Sequence, residues 1–258
     1  MIPCLLLKND GLVKTIKFDK PKYLGDPINT IRIFNDKEVD ELIFLDIEST
    51  KKNIEPNFEY ISRITTECFM PLTYGGGITS VSQIKQLLSL GIEKVSINSA
   101  SYDSMSLIEE AVKLFGSSTI IGTVDVKKNI FGKYELYYCS GKVKSETHLE
   151  DHIRALELAG VGEILINSID RDGTYKGYDT KLISIVSNLV RVPIIACGGA
   201  GSIEDFSEAI EAGATSVAAG SIFVYHGPHK AVLISYPSMD DLVSVLGDKR
   251  VGEFNGKL

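Results

Sequence analysis

The chain has 258 residues, a net charge of −7 and 44% hydrophobic residues. That length and apolar content suit one large α/β domain, expected over 1–258. The absence of any basic block argues against a nucleic-acid footprint, and no apolar run is long enough to span a membrane.

The first element, "IPCLLL" at Ile2–Leu7, reads as a buried strand. It starts directly after Met1, so no signal peptide is expected and the cytoplasm is the predicted compartment. Further strand patterns fall at Glu41–Leu45, Met70–Tyr74, Lys94–Ile97, Thr119–Val126, Glu163–Asn167, Pro193–Ala196 and Ser216–Ala219. Helical patterns lie between them: "VSQIKQLLSLG", "SLIEEAVKLFG", "HIRALELAG", "KLISIVSNL" and "IEDFSEAIEAG". Several end in Gly, as helix C-termini often do. Eight strands alternating with helices predict a (β/α)8 TIM barrel. A doubly wound open sheet is the runner-up. It normally places a Gly-rich turn after its first strand, whereas here such turns follow the third and seventh.

An internal repeat divides the chain. "PLTYGGGITSVSQIKQLLSLGIEKVSINSA" and "PIIACGGAGSIEDFSEAIEAGATSVAAGSI" start at Pro71 and Pro193, an offset of 122 residues (193 − 71), and align without a gap. Gly76/Gly198, Gly77/Gly199 and Ser99/Ser221 are among the identities. The barrel is therefore expected as two half-barrel repeats of four strands. Strand one then pairs with "IIGTVDVK" at Ile120–Lys127, which sets Leu6 against Asp125.

Each repeat predicts a phosphate cradle. Glycines at a strand-to-helix turn let backbone N–H groups approach an anion, and a helix N-terminus favours negative charge. Gly76, Gly77, Asn98 and Ser99 would form one site, and Gly198, Gly199, Gly220 and Ser221 the other. Tight turns alone would also use these glycines; two copies, each with a matching turn on the next strand, favour ligand sites. Two cradles imply an elongated small molecule with a phosphate at each end.

Four carboxylates fall at or just past the C-terminal ends of predicted strands two, five and six. Asp46, Asp125, Asp170 and Asp172 are candidates for acid/base or ligand-binding work, against a background of loop capping by Asp. A lone Asp inside "IIGTVDV" is the hardest to explain as packing. Asp172 with Gly173 in "SIDRDGT" could hold phosphate or ribose hydroxyls. Cys4, Cys68, Cys139 and Cys197 are far apart in sequence and read as buried free thiols. His148 and His152, four residues apart, read as a solvated helix face; no metal and no cofactor are expected.

"IPCL", "DELIFLDI", "PLTYGGGI", "KVSINS", "SIDRDGTYKGYD" and "ACGGAGS…AAGSIF" together resemble the cyclase subunit of imidazole glycerol phosphate synthase. The likeness runs from Ile2 to about Phe223; "VYHGPHKAVLISYPSMDDLVSV" departs from the family's usual ending. It implies a glutaminase partner at the N-terminal barrel face. Ammonia would cross the barrel to a doubly phosphorylated ribulosyl-aminoimidazole-carboxamide, giving imidazole glycerol phosphate and AICAR. It implies Asn98, Ser99 and Gly77 at one phosphate, and Gly173, Gly199 and Ser221 at the other. It further implies Lys14 as a substrate-binding lysine and Asp125 as one of two catalytic aspartates. Glu41, Lys94 and Glu163, at the starts of strands two, four and six, would form an ammonia gate, without the family's Arg that precedes strand one. The pathway's sugar isomerase shares barrel and cradles, but the motif wording fits the cyclase better.

The family reads "PCLD" where this chain reads "PCLL", so Leu6 occupies the position of the second catalytic aspartate. Leu7 alternates away from the interior, and Asp10 lies in the next loop. The expectation is a diverged paralogue with ordinary cyclase activity in doubt. It would pass ammonia toward surface-sugar amidination, with an active histidine-pathway cyclase or a non-catalytic scaffold as the alternatives.

Overall fold

The computed structural model describes residues 1–247. The rest of the expected 1–258 domain lies outside the described residues. Eight parallel strands form the barrel: β1 (Ile2–Lys8), β2 (Leu42–Asp46), β3 (Leu72–Gly75), β4 (Lys94–Ile97), β5 (Ile120–Lys128), β6 (Glu163–Ser168), β7 (Ile194–Cys197) and β8 (Ser216–Ala219). Each pairs with its neighbours in sequence. The pairing of Ile2 with Ala218 on β8 closes the circle.

Strand alternation sorts the side chains into two cores. Ile2, Cys4, Ile43, Ile121, Leu165 and Ile195 face inward and form a separate apolar cluster inside the barrel. Leu5, Leu7, Phe44 and Ile164 face outward into a larger core shared with the helices. That outer layer contains α1 (Pro27–Asp36), α2 (Phe58–Glu67), α3 (Val81–Ser89), α4 (Ser106–Phe115), α5 (Leu149–Leu158), α6 (Thr180–Ser187) and α7 (Glu204–Glu211). An eighth helix, α8 (Met239–Leu246), packs beside α7.

Asp26 and Asn57 are helix-start signals that the hydrophobic pattern alone does not reveal. Asp26 caps α1 by accepting from the Asn29 amide, with Pro27 in its first turn. Asn57 caps α2 in the same way.

The halves are also alike in their additions. A ribbon, Gly11–Ile16 with Asp19–Gly25, pairs antiparallel to β1; Tyr134–Tyr138 pairs antiparallel to β5 and continues to Val143–Lys144. The turns at Asn9–Asp10 and Lys17–Phe18 hold φ near +50 to +60° at both residues. That is the geometry of two-residue hairpins, which usually use Asn-Gly or Asp-Gly. Asn9–Asp10, followed by Gly11, carries such a signature, whereas Lys17–Phe18 does not, so only the ribbon's second turn is hidden from turn chemistry.

Two sequence expectations need correction. His152 is 3% exposed rather than solvated: its ring stacks on Tyr102 at 4.2 Å, whereas His148 is exposed. The apolar face of α5 carries it inward. The thiols are all free, but only Cys4 and Cys197 are buried; Cys68 and Cys139 are partly exposed, Cys139 because it sits in a turn at φ +52°.

Candidate active site

A cavity of about 390 Å³ opens at the C-terminal ends of the strands. Both predicted cradles line it. Gly77, Asn98 and Ser99 are on one side; Gly173, Gly199 and Ser221 are on the other. Short helices begin at Ser99 and Ser221, leaving first-turn amides without intrahelical acceptors. Gly220 also lines the wall, against Lys14.

Gly77 and Gly173 show why the cradles need glycine. Gly77 has φ +71°, and a Cβ there would lie 2.7 Å from the Ser49 Cβ. Gly173 has φ +70°, and a Cβ there would lie 2.5 Å from the Thr15 carbonyl oxygen. A side chain at Gly173 would therefore lift the ribbon off the barrel mouth.

That ribbon is tied down by charge. Lys14 Nζ lies 2.6 Å from Asp172 Oδ1, and Thr15 Oγ1 donates to Asp172 Oδ2 at 3.0 Å. The Lys17 amide adds a bond to the Asp172 carbonyl. Phe18, at the ribbon's turn, reaches the second ribbon at Gly141. Ser140 of that ribbon donates to the Ile47 carbonyl, and the Cys139 amide donates to Ser99 Oγ. The mouth is thus roofed from both halves. Thr15, Phe18 and Ser140 escaped sequence reasoning, although Asn9–Gly11, Asn129–Gly132 and Ser140–Gly141 are turn signals beside the ribbons.

The carboxylates divide by environment. Asp46 lines the cavity, yet it accepts from the Glu48 and Ser49 amides and from Ser49 Oγ at 2.6 Å. These bonds order the loop beneath Gly77. Asp170 accepts from the Lys128 amide and lies outside the cavity lining. Asp125 is 7% exposed and has no ion pair among the described residues; Asn98 Nδ2 donates to it at 3.2 Å. Burial, reinforced by the charge of Asp172, pushes the Asp125 carboxyl up to about 8. At neutral pH the carboxyl is mostly protonated.

Leu6 lines the same cavity. In register, Leu6 pairs with Leu45 on β2, while Asp125 pairs with Asn167 on β6. One half of the mouth is therefore apolar where its repeat is polar. Asp10 is held apart from Leu6. Its carboxylate accepts from Asn57 Nδ2, its carbonyl accepts from Tyr60 Oη at 2.6 Å, and it does not line the cavity. Asn167 also escaped sequence reasoning, although "INSID" places it three residues before Asp170. It is 6% exposed, and its Oδ1 has no hydrogen-bond partner among the described residues.

At the opposite barrel end, Lys94 Nζ lies 3.3 Å from Glu41 and 3.2 Å from Glu163. Thr73 Oγ1 donates to Glu41. Burial lowers the Lys94 pKa, but the two carboxylates outweigh it and the net shift is upward. Burial raises Glu163 against the pull of Lys94. The three predicted ring residues thus form one ion cluster, separated from the cavity by the apolar interior.

The family described as "Histidine biosynthesis protein" matches residues 1–230. A Pseudomonas aeruginosa protein provisionally named imidazole glycerol phosphate synthase subunit hisF2 is 52% identical over 243 residues, covering 94% of this chain and 97% of that protein. A Leptospira borgpetersenii protein, provisionally named as the HisF subunit, is 45% identical, covering 93% and 96%. The imidazole glycerol phosphate synthase subunit HisF of Alkaliphilus metalliredigens is 39% identical over 227 residues, covering 88% and 90%.

Proposed function

The chain belongs to the histidine biosynthesis protein family, and from that premise we propose that it is a cyclase-type barrel diverged from ordinary cyclase turnover. In this reading a glutaminase docks at the N-terminal face and releases ammonia beneath the Glu41–Lys94–Glu163 cluster. Neutral ammonia crosses the apolar interior built by Ile43, Ile121 and Leu165, which a charged ammonium would enter only at a large desolvation cost. It emerges beside Asp125. The nitrogen then serves the amidination of a surface sugar, either at this cavity or on a third protein.

The observation that carries the reading is Leu6. An acid/base pair needs two titratable groups facing one reacting molecule. Here Asp125 has an apolar counterpart, and Asp10 is held away by Asn57 and Tyr60. Losing one member of such a pair typically costs about 10²–10⁴-fold in rate.

Two intact cradles favour a second reading, an active histidine-pathway cyclase whose missing acid is supplied by the substrate or solvent. A non-catalytic scaffold for the glutaminase is a third. The test is turnover of the doubly phosphorylated histidine-pathway substrate with high ammonium. Very slow turnover supports divergence; turnover within about tenfold of an ordinary cyclase overturns it. Glutaminase stimulation without turnover of any sugar nucleotide would favour the scaffold.

A further inference from the structure

Beside the main cavity is a second hollow, of about 190 Å³. The two share Lys14, Thr15, Gly173 and Ser221, so the hollow opens onto the second cradle. Three separate segments complete its wall. Lys20 and Lys22 come from the ribbon after β1, Tyr175 from the turn after β6, and Tyr225 and Lys230 from the chain following the Ser221–Val224 helix.

The charge balance there is one-sided. Four lysines line the hollow and no carboxylate does, in a chain whose net charge is −7. Asp172 neutralises Lys14. Lys20, Lys22 and Lys230 make no ion pair among the described residues. Register makes the crowding worse: Lys22 stands directly across the ribbon from Lys14, and like charges in that position repel.

Aromatic rings hold two of the free ammonium groups without cancelling their charge. Lys22 Nζ lies 5.5 Å from the Tyr225 ring centre, and Lys230 Nζ lies 4.4 Å from that of Tyr175. Lysine is a mobile point charge well suited to phosphoryl oxygens. A convergent set of such charges bordering a phosphate cradle is built for a second anion attached to the first.

We propose that this hollow is an anion subsite continuous with the Gly173–Gly199–Ser221 cradle, so that the ligand held there is a diphosphate ester rather than a phosphate monoester. The subsite deepens the diverged-paralogue reading by naming a substrate class. A substrate with a single phosphate at each end would leave it empty. Its support is the charge arrangement, which is independent of Leu6.

The test compares inorganic pyrophosphate with inorganic phosphate by titration calorimetry on the full chain at fixed ionic strength. Pyrophosphate is expected to bind tenfold or more tightly than phosphate. The double variant Lys22→Met/Lys230→Met is expected to lose at least tenfold in pyrophosphate affinity and less than twofold in phosphate affinity. A control variant, Lys37→Met/Lys181→Met, removes the same charge elsewhere and is expected to change neither. Equal affinities for the two anions would overturn the proposal. So would no loss in the double variant, or equal losses in the double variant and the control. Circular dichroism of each variant checks folding. Cyclase turnover of the wild type is measured separately, so failure of the subsite and failure of the paralogue reading give different results.

Discussion

Asn98 Nδ2 donates to Asp125 Oδ2 at 3.2 Å, and no other side-chain hydrogen bond reaches that carboxyl among the described residues. One weak donor does not offset full burial, and so the acid is held neutral, with its pKa up at about 8. The unfolded chain ionises this group near 3.8, so the native state binds the extra proton between those values. Stability attributable to Asp125 is therefore intact at low pH. It falls as pH rises from about 4 to about 8, by up to about 1.4 kcal/mol per pH unit. Asp125→Asn removes that loss. Urea titrations at pH 5 and pH 8 should show the variant gaining on the wild type at the higher pH; an identical difference at both would show that the carboxyl is already ionised.

His152 titrates in the opposite sense. Burial against Tyr102 lowers it from 6.5 to about 4. The native ring stays neutral while the unfolded chain takes up a proton, so its contribution is present above pH 6.5 and is lost as pH falls toward 4. His152→Phe keeps the stack and cannot protonate. Thermal melts between pH 7 and pH 4.5 should show a smaller acid-induced drop in Tm for the variant than for the wild type.

The Lys14–Asp172 pair anchors the ribbon over the mouth, with both partners largely buried. Removing one side leaves an unpaired buried charge, at a cost of about 3–5 kcal/mol. Asp172→Ala should raise amide exchange across Gly11–Gly25 well before it alters exchange in β5 or β6. Gly173→Ala should do the same through the close approach of Thr15. Hydrogen-exchange mass spectrometry reads both, and uniform protection of the ribbon in either variant would show that the pair is not its anchor.

Lys94 bridges Glu41 and Glu163, each partly screened by solvent. Lys94→Met should destabilise by about 1–3 kcal/mol, because two carboxylates then face each other. Adding Glu41→Gln and Glu163→Gln to that variant should recover most of the loss. A triple variant as unstable as the single one would mean that packing around the Lys94 stem, rather than charge, sets the cost.

Periodicity made the barrel legible in the sequence because each strand is a short apolar run followed by a helix pattern. The repeat then located both cradles, since Gly76/Gly198 and Ser99/Ser221 are identities at one offset. The roof was only partly legible, through turn signals such as Asn9–Gly11 and Ser140–Gly141. Its turn at Lys17–Phe18 adopts positive φ without Gly, Asn or Asp, and Tyr134–Tyr138 pairs to β5 through backbone bonds that any sequence can make. Asp46 shows a different limit. A carboxylate after a strand reads alike whether it faces a ligand or caps its own loop, and the bonds from Glu48 and Ser49 reveal the capping. The polar pair Asp125–Asn167 opposite the apolar pair Leu6–Leu45 needed the register of neighbouring strands to be seen.

Ammonium-supported turnover of the doubly phosphorylated ribulosyl-aminoimidazole-carboxamide by wild type and Leu6→Asp, measured side by side, tests the divergence most directly. Restoring the carboxylate across from Asp125 should raise the rate by about 10²-fold or more. A wild-type rate within about tenfold of an ordinary cyclase, with no gain on adding the acid, would contradict the account.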